Sequence, residues 1–138
     1  MSVAAAAGTL LAAVGVAGCA SPAPALGTHT AQVTINGQDI GRDHRVTCNQ
    51  FGWDWKVETL EKAPGFTAML ETGDTVTAEL VHIRDLGGFT GTYGRDVVGD
   101  AEAHVEAGTF TISGTALGFH AREPAETVSA TFSIKTDC

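Results

Sequence analysis

Five imidazoles, sixteen carboxylates and three thiols are the groups in this 138-residue chain with the chemistry for acid–base, metal or nucleophilic work. The histidines (His29, His44, His82, His104, His120) are dispersed, with no His-x-His or His-x-x-x-His pair. A metal site assembled across strands needs close spacing for at least one ligand pair, so no metal is expected. The acidic residues are scattered singly and favour no hydrolytic pair. Ser113 lacks the Gly-x-Ser-x-Gly context of a nucleophile elbow. The run Gly87-Gly88-Phe89-Thr90-Gly91-Thr92-Tyr93-Gly94 looks like a phosphate loop, but has neither the Gly-Lys-Ser/Thr ending nor a following helix. It reads as a Gly-rich strand with turns. No catalytic residue and no cofactor is expected, and the chain is read as a non-enzyme.

The thiols are more informative. Cys19 ends the sequence Val16-Ala17-Gly18-Cys19 after an uncharged apolar stretch containing Leu10, Leu11 and Val14. That arrangement resembles a bacterial lipobox, at which the leader is cut before the cysteine and the thiol is acylated. Residues 1–18 then form a signal peptide, too short for a secure membrane span. The positively charged start of such a leader is missing, since the first basic residue is Arg42. A misassigned start codon or a weak signal would account for it, and the rival reading is a free buried cysteine in an apolar N-terminal helix. With Cys19 acylated, Cys48 and Cys138 remain as one pair. In an oxidising envelope they are expected to form a disulfide, closing a loop of about 90 residues worth roughly 4–5 kcal/mol in the chain-entropy model. A thiol metal or redox site would need a Cys-x-x-Cys spacing that is absent.

The elements that must position these groups are strands. Residues 19–30 carry the lipidated cysteine and a short Pro/Ala/Thr-rich linker, and residues 31–138 form the domain. Gln32-Val33-Thr34-Ile35 alternates and meets Asn36-Gly37, a strong hairpin signal, with Arg45–Cys48 as its return strand. Val76, Ala78, Leu80 and His82 are expected on one face, opposite Thr77, Glu79, Val81 and Ile83. Val128, Ala130, Phe132 and Ile134 alternate with Ser129, Thr131, Ser133 and Lys135. Residues 101–107 are the one stretch where a short helix is acceptable beside a strand. The fold class is all-β: an antiparallel β-sandwich or partly closed barrel of about eight short strands with one disulfide.

Trp53 and Trp55 stand one strand-period apart, on a face with Val57. They are expected in the core beside the Cys48–Cys138 bridge, or else along a groove contacting a carbohydrate or lipid ligand. The net charge of −8 argues against nucleic acid and against adhesion to anionic lipid by charge.

Taken in order, Gln32–Gly37, Val46-Thr47-Cys48, Gly88-Phe89-Thr90-Gly91, Ile112–Ala116, the terminal Cys138 and the Cys19 motif resemble the mycobacterial nineteen-kilodalton lipoprotein antigen (LpqH-like) family. The resemblance covers the chain from Cys19 onward. It implies a cell-envelope lipoprotein lipidated at Cys19, often with palmitate among its chains, and disulfide-linked at Cys48 and Cys138. It implies membrane attachment at the extracytoplasmic face through acyl groups, which host Toll-like receptors sense, and no enzymatic activity. Family linkers are long and Ser/Thr-rich and some are glycosylated, whereas here only Ser21, Thr28 and Thr30 offer hydroxyls. The expected role is a surface antigen or binding module. The alternative is a carrier holding a hydrophobic envelope lipid between the sheets.

Overall fold

A computed structural model describes residues 29–41 and 43–138, so Cys19 and the leader lie outside the described residues. Ten strands follow in order: β1 (His29–Ile35), β2 (Gln38–Asp39), β3 (His44–Phe51), β4 (Asp54–Thr59), β5 (Gly65–Glu71), β6 (Thr77–Leu86), β7 (Phe89–Gly94), β8 (Asp100–Glu106), β9 (Thr109–His120) and β10 (Glu123–Asp137). No helix occurs among the described residues. Alternation builds the core directly. In β7, Phe89, Gly91 and Tyr93 are buried between half-buried Thr90, Thr92 and Gly94. In β10, Ala130, Phe132, Ile134 and Thr136 point inward. The turns supply the required backbone. Asn36-Gly37, Gly87-Gly88 and Ala107-Gly108 each place two successive residues at positive φ, the twist that suits two-residue hairpins.

All strand pairs are antiparallel. The hydrogen bonds run β10-β1-β3-β4-β5-β6-β7-β9 and return from β9 to β10, a ring that does not form a barrel. Strand β9 makes this closure. Its far edge pairs with β10 over most of its length, while its near edge serves β8 up to Thr115 and β7 from Leu117. Glycine is demanded where the neighbours press on it: a Cβ at Gly118 would lie 1.9 Å from the Thr90 carbonyl oxygen. Between the faces, Phe66, Phe89, Leu70, Ile83, Leu86, Ile112 and Ile134 are fully buried.

Several expectations shift. The Asn36-Gly37 turn leads into the two-residue β2, and β3 then pairs with the start of β1, His29 opposite Val46. The alternation in β6 breaks at a bulge: Leu70 faces Ala78 but Met69 faces Leu80. The extra residue flips the strand, so Val81 and Ile83 are buried and Leu80 and His82 turn outward. Residues 100–106 are strand β8, not helix, held by β9 across the Ala107-Gly108 turn.

Candidate functional site at the disulfide end

Three parts of the chain meet at one end of the sheet: the start of β1, the C-terminus and the base of the β3–β4 hairpin at Cys48. Cys48 and Cys138 are bonded, with Cα atoms 6.0 Å apart. Beside the bridge, the Thr30 N–H donates to Asp137 Oδ1 at 3.0 Å and Thr136 Oγ1 donates to the Thr30 carbonyl at 3.1 Å. The Cys138 N–H donates to the Gly108 carbonyl at 3.0 Å. The first strand after the linker is thus tied to the last residues of the chain.

From this base the hairpin projects. Cys48 faces Val57, Gln50 faces Trp55, and Phe51 faces Asp54. The two-residue turn has Gly52 at φ 63°, the position where such turns call for glycine. The expected shared face of the two tryptophans is therefore split. Trp53 lies in the turn, outside the core and 71% exposed, and Phe51 beside it is 67% exposed. Trp55 is half-buried on the inner face, its ring 5.4 Å from that of Phe110. The period-two count from Trp53 through Trp55 to Val57 fails at its first member, because Trp53 belongs to the turn and β4 begins only at Asp54. The Trp53 backbone is fixed even though its ring is exposed. Its carbonyl accepts from the Thr72 N–H at 2.7 Å and from Thr72 Oγ1 at 2.8 Å. Gln50 Nε2 donates to the Gly52 carbonyl at 3.0 Å. Acidic groups flank the tip, with Asp54 opposite Glu71 in the β4–β5 pair.

Elsewhere, polar groups serve the fold. His82 Nδ1 lies 2.9 Å from Thr92 Oγ1, and burial, then the Arg84 charge, holds its pKa below the ordinary value. The Tyr93 hydroxyl donates to the Ala78 carbonyl at 2.9 Å, and burial pushes its pKa up. Thr59 Oγ1 accepts from the Phe66 N–H at 3.0 Å and donates to the Glu61 carbonyl at 2.6 Å. His120 meets the ring of Phe89, and His104 lies exposed near Glu102. No group of three or more His, Cys, Asp or Glu side chains is placed to hold a metal among the described residues. An open groove of about 720 Å³ runs past Tyr93, Asp96, Asp100, Glu102 and Ser113. Arg95 at its rim is engaged by Glu79 at 2.5 Å.

The sequence model described as Mycobacterium 19 kDa lipoprotein antigen matches residues 24–138. A putative lipoprotein of Mycobacterium indicus pranii is 35% identical over 134 residues, 96% of each chain. A putative lipoprotein of Mycobacterium avium subsp. hominissuis is 36% identical over 129 residues, 93% of this chain and 89% of that one. The probable lipoprotein LppE of Mycobacterium tuberculosis is 36% identical over 70 residues, 51% of this chain and 50% of its own.

Proposed function

Because the chain belongs to the mycobacterial 19 kDa lipoprotein antigen family, we propose that it is an envelope lipoprotein acylated at Cys19, a non-catalytic β domain held at the extracytoplasmic face. The observation that carries this reading is the arithmetic of the thiols. Cys48 and Cys138 are bonded to each other, which leaves Cys19, directly after Val16-Ala17-Gly18, to the lipid. In such proteins the sulfur bears a diacylglyceryl group and the freed amino group often a third chain. Each buried methylene adds about 0.8 kcal/mol, and two or more chains anchor stably where one does not.

A surface module is better supported than a carrier. The space between the faces is filled by Phe66, Phe89, Leu70 and Ile112, and the groove beside Tyr93 is open and rimmed by Asp96, Asp100 and Glu102. A non-enzymatic role accords with polar groups engaged in holding strands, as at Tyr93 and Thr59. The acyl groups are then what a host receptor of the Toll-like class would sense, and the domain presents the antigenic surface. Detergent phase partition of the protein expressed in a mycobacterial host tests the reading. Wild type is expected in the detergent phase and Cys19→Ala in the aqueous phase. Equal partition of the two would overturn it.

A further inference from the structure

We propose that the β3–β4 hairpin tip, Phe51-Gly52-Trp53, is a second membrane contact that dips into the headgroup region and sets how the domain stands on the lipid surface. This rests on the reading that Cys19 is acylated. The occupant is the bilayer carrying that anchor, and register and chain length identify it. His29, the first described residue, pairs with Val46. Strand β3 then continues for five more residues, to Phe51, past the point where the linker enters. At ~3.4 Å per residue the tip overhangs His29 by about 17 Å, on the side from which the tether arrives.

The length of the tether bounds the height of the tip. Nine residues, 20–28, separate the proposed anchor from β1, about ten Cα-to-Cα steps from Cys19 to His29. At polyproline pitch, ~3.1 Å per residue, that length reaches about 31 Å. Set against an overhang of about 17 Å, a tether of that length leaves the tip within about 14 Å of the lipid surface, and any shorter span brings it closer.

The tip is built for the interface. Phe51 and Trp53 are 67% and 71% exposed, although large aromatic rings ordinarily bury most of their area. Tryptophan prefers the membrane–water boundary, where its ring is half solvated. The rings ride on a rigid mount. The disulfide at Cys48 ties the hairpin's base, Trp55 props its inner side against Phe110, and Thr72 pins the Trp53 carbonyl. Asp54 and Glu71 nearby give no attraction to anionic lipid, so the contact is apolar and does not weaken with added salt.

The test uses the full acylated protein on phosphatidylcholine vesicles, with and without brominated acyl chains. The chain has two tryptophans. Trp55→Phe leaves Trp53 as the sole emitter, and Trp53→Phe leaves the inner Trp55 as control. Brominated chains are expected to cut Trp53 emission at least twofold and to leave Trp55 emission nearly unchanged. If Trp55→Phe does not fold, wild type minus Trp53→Phe yields the Trp53 signal. Protein that floats with the vesicles while Trp53 stays unquenched and open to acrylamide overturns this proposal alone. Protein that fails to float overturns the anchoring reading, and this one with it.

Discussion

Replacing both bridged cysteines, Cys48→Ala with Cys138→Ala, should cost at least about a third of the margin on which this domain folds. The bond joins residues 90 apart. Closing a loop that long removes about 15 cal/mol/K from the unfolded chain, or about 4.6 kcal/mol at room temperature. The native end of the sheet survives without it, because Thr136 still pairs with Ala31 and Phe110 and Asp137 still pairs with Thr109. The loss therefore falls on the equilibrium and leaves the architecture intact. Domains of this size gain only about 5–15 kcal/mol in all. With an unfolding entropy near 2.1 cal/mol/K per residue, about 110 ordered residues translate the loss into a midpoint about 20 °C lower. Thermal unfolding followed by circular dichroism at 218 nm, wild type against double variant, reads this directly. A drop of less than about 6 °C would refute the loop-entropy argument. A changed far-ultraviolet spectrum before melting would refute the claim that the sheet holds its end unaided.

The two tryptophans should separate in stability: Trp55→Ala is expected to cost about 2 kcal/mol in urea unfolding, since it removes a half-buried ring from Phe110. Trp53→Ala, in an exposed turn, should stay within about 0.5 kcal/mol. Gly118→Ala puts a methyl 1.9 Å from the Thr90 oxygen and should cost about 3 kcal/mol or more. Gly73→Ala, with open space and ordinary φ, should be near neutral in the same assay. For His82 the folded pKa lies below its ordinary 6.5, through burial and then Arg84. The unfolded chain takes up the proton first, so stability should fall as pH drops below 6.5 and level off below the folded pKa. His82→Gln should flatten that part of the curve, and an unchanged pH profile would contradict the assigned cause.

The fold class was legible because β7 and β10 alternate cleanly and the turn pairs carry residues suited to positive φ. Alternation was misread where a strand gains a residue. Nothing in Val76–Ile83 marks the bulge opposite Met69, so simple alternation puts Leu80 and His82 on the face of Ala78, whereas Val81 and Ile83 are the residues buried with it. Gly52 was the missed signal in the hairpin. Taken as a turn, it moves Trp53 out of the strand and leaves Trp55 on the core face. The Ala- and Glu-rich β8 looked helix-compatible because local preference there is weak, and its pairing with β9 decides the outcome. Ring closure through β9 depends on which of its edges meets β7, β8 and β10, a non-local fact that no window of the sequence contains.

Intact mass of the protein extracted from the membrane of a mycobacterial host tests the central claim most directly. The account predicts a chain beginning at Cys19, carrying a diacylglyceryl group and further acyl mass, and two hydrogens lighter than its reduced form. A chain with its N-terminus upstream of Cys19 and no acyl mass would contradict it.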